Sequence, residues 1–383
     1  MGEIKNLNEI NNRYDYVIVG AGLFGITFAR CVAESGKKSL IIEKRNHIGG
    51  NVYDEFIDNI NVHMYGPHIF HTSYKSVWNF VNRFARFNNY VHMPMACYDN
   101  KIYNLPFNMN TFIRLFKGCT NPREVQEAID KERFTGTPTN LEEYALSMVG
   151  KTIYTTLIEA YTEKQWGTLC DRLPMDIIKR IPLRMTFDNR YFTDRYQGIP
   201  IEGYTAMCKN ICNHDNIDII YNTDFNDVKT SWKDYGNKLI YTGMIDEFYD
   251  YKFGELKYRS LRFETKTIIN CQNYQGTSVM NYTDYTPYTR ITEHKHFCPE
   301  NIHYTDNKTV ITYEYPALYR KNENVPFYPV NDITNENLYK QYKQLADNND
   351  DIYFCGRLGE YKYYDMDDTI AAAMQLAIGE INE

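Results

Sequence analysis

Asp15-Tyr-Val-Ile-Val-Gly20-Ala-Gly22-Leu-Phe-Gly25 is the stretch that decides the fold of this chain. The apolar run Tyr16–Val19 reads as a buried parallel strand, and the glycines after it have the spacing G-x-G-x-x-G. Each glycine meets a separate need of a dinucleotide-binding turn. Gly20 permits the tight turn, Gly22 lets backbone approach a pyrophosphate, and Gly25 lets the next helix pack close to the strand. That helix is expected over Ile26–Ser35, with Gly36 as its C-cap. Its N-terminal amides, beginning at Leu23 and Phe24, would face the pyrophosphate. A second strand, Ser39–Ile42, ends in Glu43, placed to accept hydrogen bonds from a ribose, with Lys44 beside it. The glycine spacing alone is a weak signal. Strand, glycines, helix, strand and acid in that order are a strong one; the competing reading is a tight βα turn with no ligand.

Gly49-Gly50 and Asn51 narrow the cofactor. A nicotinamide-dinucleotide fold does not need a glycine pair just after the second strand. FAD folds of the glutathione-reductase type often carry one where the chain passes the FAD pyrophosphate. FAD is therefore the expected cofactor.

Composition sets further bounds. The chain has 383 residues, enough for two or three domains, and 43% of them are hydrophobic. No apolar run approaches the ~20 residues needed to span a bilayer. Residues 1–13 are polar, do not resemble a signal peptide, and are expected to be a disordered lead-in. The nine cysteines include no C-x-x-C, so reduced thiols in a cytoplasmic setting are expected, and no metal site. A net charge of −7 argues against nucleic-acid binding, so an anionic substrate would need a local arginine cluster.

Along the chain, Tyr90–Tyr98 and Lys101–Asn104 read as a hairpin around Asp99-Asn100, and Pro106 ends it. Helical spacing covers Leu141–Val149 after the N-cap Asn140, and Lys151–Tyr161. Gly203–Cys212 reads as a helix before the strand Ile217–Tyr221, and residues 238–242 as a strand returning to the first sheet. Alternating stretches between 256 and 330 suit an antiparallel sheet, and Ile352–Cys355 and Met366–Ile381 close the chain as strand and helix. The expected class is α/β: a discontinuous Rossmann-like FAD-binding domain with an inserted helical bundle and an antiparallel β-sheet domain. The FAD-binding domain takes 14–83, 198–243 and 343–383. The bundle takes 106–180, with a mobile lid over 167–180. The sheet, as substrate domain, takes 84–105, 184–197 and 244–342.

Longer motifs carry a resemblance to one family. Glu43-Lys-Arg-Asn-His-Ile-Gly-Gly-Asn51, Tyr65-Gly-Pro-His-Ile-Phe-His71, Tyr161-Thr-Glu-Lys-Gln-Trp-Gly167 and Ile178-Lys-Arg-Ile-Pro182 are four of them. Asp194-Arg-Tyr-Gln-Gly-Ile-Pro200, Pro287–His296 and Gly356–Met366 extend the match. The chain resembles prokaryotic-type UDP-galactopyranose mutases along almost its whole length. The resemblance implies reversible interconversion of UDP-galactopyranose and UDP-galactofuranose, with no net redox change. It implies reduced FAD as covalent nucleophile at the anomeric carbon. It also implies a reductant such as NAD(P)H or a reductase, and a homodimer.

The resemblance assigns roles residue by residue. Arg180 and Arg290 would hold the diphosphate, as a planar guanidinium binds phosphate oxygens bidentately. Tyr191, Tyr328 and Tyr363 would add hydroxyl donors. Tyr161 would stack on uracil and Trp166 on the sugar end, and Asn281 would bond the nucleotide. His68 is expected near the isoalloxazine, with His71 three residues on. Glu314 and Asp365 are expected beside the active site. Gly356, Arg357, Tyr364, Asp365 and Met366 would flank the cofactor, Arg357 neutralising its pyrophosphate. Without the resemblance, each arginine reads as a solvated charge and each tyrosine as core. Three alternatives stay open: an FAD-dependent amine oxidase or dehydrogenase, the same mutase chemistry on UDP-N-acetylgalactosamine, and a catalytically dead nucleotide-sugar-binding protein.

Overall fold

The computed structural model describes residues 2–4, 6–10, 13–178, 183–298 and 307–382. A six-stranded parallel sheet carries the N-terminal motif, in the order Gly2–Ile4, Ile217–Ile220, Ser39–Ile42, Tyr14–Val19, Gly236–Tyr241, Ile352–Phe354. Val17, Ile18, Leu40, Ile41, Leu239 and Ile240 have no exposed surface, because helices cover both faces of such a sheet. The helices Leu23–Glu34, Tyr204–Cys212 and Met366–Asn382 pack one face around Phe28, Ile26 and Ile370. Phe225, Trp232 and Tyr241 pack the other.

Gly2–Ile4 corrects the expected disordered lead-in. These residues pair in register with Asp218–Ile220, and the backbone N–H of Gly2 donates to Asp218 Oδ1 at 3.1 Å. The open edge of Ile217–Ile220 supplies unpaired backbone groups that even a polar segment can satisfy.

A seven-stranded sheet forms the second layer, in the order Tyr328–Pro329, Tyr258–Ile269, Lys308–Leu318, Arg290–Glu293, Val279–Tyr282, Met95–Tyr98, Lys101–Asn104. It is antiparallel except where Val279–Tyr282 runs parallel to Met95–Tyr98. Residues 184–197, expected within it, contribute no strand to it. Tyr196–Gly198 instead pairs antiparallel with Phe70–Thr72 in a separate ribbon. Among the elements not expected from the sequence, two stand out. One is the hairpin Asp54–Ile57 with Ile60–His63; the other is the helix Ile333–Ala346.

The helical insertion packs around Phe112, Val125, Ile129, Leu141 and Ile153. Its central helix, Leu141–Ile153, is broken by Gly150 at φ +74°, and passes through one π turn, Tyr154–Ile158, into Glu159–Trp166. Gly167 then ends that helix in the left-handed conformation. Among the described residues no helix is long and apolar enough to cross a membrane, and no cluster of metal-ligating side chains occurs.

Candidate active site

The glycine motif adopts the conformation its spacing requires. Gly20 has φ +98°, and a Cβ on Gly25 would stand 2.2 Å from the Gly20 carbonyl oxygen. Gly22 is different: a Cβ there meets no atom within 4 Å. The motif therefore leaves space above Gly22 that the protein itself does not fill. Gly50, at φ +56°, backs directly onto Gly22, and Gly356, at φ +71°, faces Phe24. Leu23 and Phe24 are buried in the first helical turn.

Glu43 closes this cradle. It exposes 5% of its surface, and its carboxylate accepts from the N–H of Ala21 at 2.7 Å and of Arg45 at 2.8 Å. Each oxygen retains a lone pair for a ribose hydroxyl. Lys44 points to solvent. Asn51 works indirectly, through its Oδ1, which accepts from Arg45 Nη2 at 3.0 Å. Arg45 was missed in the sequence. Its guanidinium lies over the Tyr65 ring at 4.5 Å, and its Nη1 is buried without a hydrogen-bond partner. An open glycine turn beside an unspent buried guanidinium nitrogen fits a dinucleotide pyrophosphate.

The substrate residues come together on one face of the second sheet. Arg290 and Asn281 are directly paired across neighbouring strands, and Arg290 and Glu314 across the next pair. Arg290 Nη2 donates to Tyr161 Oη at 2.9 Å. Its Nε lies 3.4 Å from Glu314 Oε1, an ion pair without a formed hydrogen bond. Burial acts to lower the Arg290 pKa, but Glu314 and then Tyr161 outweigh it, and the net shift is upward. Arg290 is a permanent cation held on an acidic backstop. Asn281 Oδ1 is buried with no partner beside it.

Tyr328 and Tyr363 stack at 6.0 Å, and Arg357 lies over both rings, at 5.2 and 4.9 Å. Arg357 is held there by the carbonyls of Phe327 and Tyr364, at 3.2 and 2.6 Å. The structure thus places it with the tyrosine set. Burial raises the pKa of Tyr191, Tyr328 and Tyr363, so all three remain protonated donors. Asp365, next to Tyr363, raises it further. Tyr191 and Tyr363 still expose 43% and 41% of their surface, as walls of a cleft do. Met366 begins the last helix and packs partly into the main core.

The helix Glu159–Trp166 presents its two aromatics differently. Tyr161 is turned to Arg290, whereas Trp166 packs against the core of the helical insertion. Two cations, Lys164 and the buried Arg259, fasten this helix to the sheet. Lys164 Nζ donates to the carbonyls of Tyr282 and Tyr288, each at 2.9 Å. Arg259 Nε caps the helix at the Gln165 carbonyl, at 2.7 Å. Neither anchor was evident from the sequence.

His68 is held by its own loop and by His63. Its Nδ1 is 2.8 Å from the Gly66 carbonyl, and its N–H donates to His63 Nδ1 at 3.1 Å. Burial, then His63, Arg357 and Arg290, lower its pKa to about 3, so it is neutral at ordinary pH. The Gly66 contact makes Nδ1 the donor and leaves Nε2 as acceptor. His71 is spent structurally: it pairs with Asp194 at 2.9 Å and stacks on Phe192 at 3.7 Å. Arg180 lies outside the described residues. Of the expected lid, 167–178 is described, with short 3-10 turns at Cys170–Arg172 and Met175–Ile177. A groove of about 720 Å³ occurs elsewhere, against Ile352–Phe354 and between Lys343 and Leu376; it contains none of the arginines of the site.

Comparison with known proteins agrees with this arrangement. A sequence profile of UDP-galactopyranose mutase matches residues 156–363, and one of the NAD(P)-binding Rossmann-like domain matches 18–84. Over 371 residues the chain is 40% identical to a dTDP-fucopyranose mutase of Escherichia coli, covering 94% of this chain and 97% of that one. It is also 40% identical to a Klebsiella pneumoniae protein named "Probable UDP-galactopyranose mutase", covering 96% and 94%. A UDP-galactopyranose mutase of Mycoplasma pneumoniae is 32% identical, covering 97% of each chain. The crystal structure of a reduced UDP-galactopyranose mutase superposes with a TM-score of 0.73 over 97% of this chain and 95% of that one. At 15% identity it speaks for the fold alone. The Rossmann-like cradle, the length of the match and the identity of these relatives together show that this chain belongs to the UDP-galactopyranose mutase family.

Proposed function

We propose that the protein interconverts UDP-galactopyranose and UDP-galactofuranose in a site that holds FAD in its reduced state. The single observation that carries this is Arg290, a half-buried cation braced by Glu314 and Tyr161 and flanked by protonated tyrosines. Such a site suits a diphosphate that must leave and return without escaping. When bound, reduced FAD supplies the nucleophile for the anomeric carbon. Gly22, Arg45 and Gly50 would hold its pyrophosphate, with Glu43 at the ribose.

The protein's own part is positioning. Arg290 stabilises the charge that grows on the diphosphate as the glycosidic bond opens. Tyr191, Tyr328 and Tyr363 donate to phosphate oxygens, and Tyr161 keeps the Arg290 fork aimed at them. Asn281 Oδ1 accepts from the nucleotide. His68, neutral, presents Nε2 to the cofactor as an acceptor. Arg357 adds a second positive charge, and Arg180 a third from the lid over 167–180. Closure of that lid excludes water. A homodimer in the cytoplasm, reduced by NAD(P)H or a reductase, is part of the same reading.

The equal identity to a dTDP-fucopyranose mutase favours one further substrate. Dithionite-reduced protein offered UDP-galactofuranose and, separately, dTDP-fucofuranose distinguishes them by product chromatography. UDP-galactopyranose is the expected product, formed at least about tenfold faster than dTDP-fucopyranose, a margin of ~1.4 kcal/mol. The reverse ratio would transfer the chain to the deoxysugar.

A further inference from the structure

His92 belongs to none of the groups above, yet it faces them. It precedes the strand Met95–Tyr98 and exposes 7% of its surface. Its backbone is fixed on both sides: the N–H donates to Gln197 Oε1 at 3.3 Å, and the carbonyl accepts from the Tyr191 N–H at 2.8 Å. Its ring is nearly as constrained. Phe192 stacks on it at 5.6 Å and 25°, and Tyr191 meets it edge-on at 5.5 Å. Nδ1 lies 3.1 Å from Tyr90 Oη, which is itself 2.5 Å from Ser278 Oγ. Among the described residues no group bonds Nε2.

The surroundings of that nitrogen are specific. Burial first, then Arg290 and His71, lower the His92 pKa to about 3, so the ring stays neutral. Arg290 stands at the diphosphate end of the cleft. His71 stands at the end of the segment that carries His68 and leads back to the cofactor cradle. The hexose of a bound nucleotide sugar must lie between diphosphate and cofactor. A ring needed only for packing would serve equally well as phenylalanine, whereas Nε2 is an acceptor that makes no bond and is not sealed from the cleft beside Tyr191. A neutral imidazole with Nδ1 already held offers one directed hydrogen bond, suited to a hydroxyl.

Resting on the reading of the chain as a nucleotide-sugar mutase, we propose that His92 Nε2 hydrogen-bonds a hydroxyl of the hexose, and so reads the sugar and not the nucleotide. The consequence is separable from structure. His92→Phe keeps a stacked ring and removes both nitrogens. His92→Gln keeps an amide group at about the reach of Nε2. Calorimetric titration of the flavin-loaded protein with UDP and with UDP-galactose reads the two parts of the ligand. In His92→Phe, UDP-galactose binding is expected to weaken about 3- to 10-fold, the loss of one hydrogen bond, while UDP stays within about twofold of wild type. His92→Gln is expected to recover most of the loss. If the phenylalanine variant does not retain flavin, His92→Leu replaces it with the same expectation. An unchanged ratio of UDP-galactose to UDP affinity, or equal weakening of both, would overturn the assignment. A wild type that binds neither nucleotide would overturn the mutase reading with it.

Discussion

Arg290→Ala is expected to lower kcat/KM for sugar-nucleotide isomerisation by about 10²–10³-fold, with flavin content unchanged. The guanidinium combines partial burial, an acidic brace and a tyrosine contact. Its removal takes away charge stabilisation when the diphosphate departs. It also strands Glu314, whose side chain is 9% exposed, at a cost of about 3 kcal/mol in stability. The two effects separate in a second variant. Arg290→Ala with Glu314→Gln removes the stranded charge, so thermal stability returns while turnover does not. Steady-state kinetics and a melting curve on both variants measure this. Turnover near wild type in either would take Arg290 out of the site.

Gly22→Ala is expected to reduce bound flavin at least about tenfold while the melting temperature of the cofactor-free protein stays the same. A Cβ at Gly22 meets no protein atom within 4 Å, and the backbone there is extended at φ −76°, so the fold does not resist alanine. Only a ligand lying against that backbone would. Gly25→Ala is the contrasting case, because its Cβ would meet the Gly20 carbonyl at 2.2 Å and must disturb the fold as well. Flavin absorbance per protein, with melting curves on apo protein, separates the two. Full flavin in a stable Gly22→Ala protein would mean that the motif is a tight turn and nothing more.

The parts legible in the sequence were those fixed by local chemistry. Gly20, Gly22 and Gly25 specify strand, turn and helix within eleven residues, and all three elements formed at that position. The motifs around Tyr161, Arg290 and Tyr363 pointed to residues that do converge, because long shared segments carry three-dimensional neighbourhood with them. What escaped depends on pairing between distant segments. His92 acquires its meaning from Arg290 and Tyr191, which approach it only when the sheet and the loop before Tyr196 are in place. Lys164 and Arg259 find their partners only when the helix Glu159–Trp166, which carries Lys164, docks on the sheet that carries Arg259. The edge strand Gly2–Ile4 has no strand signal of its own and is recruited by Asp218–Ile220. The hairpin at Asp58-Asn59 was readable in principle, since both residues take positive φ, at 53° and 64°, as a two-residue hairpin turn requires. Its strands are four residues each, too short to stand out by alternation.

The central claim is an isomerisation that needs reduced flavin and consumes no electrons. One preparation, divided into oxidised and dithionite-reduced halves and given UDP-galactofuranose without oxygen, tests it directly. The reduced half is expected to form UDP-galactopyranose over many turnovers while its flavin spectrum returns unchanged, and the oxidised half to form none. Equal conversion in the two halves, or conversion in step with flavin oxidation, would contradict the account.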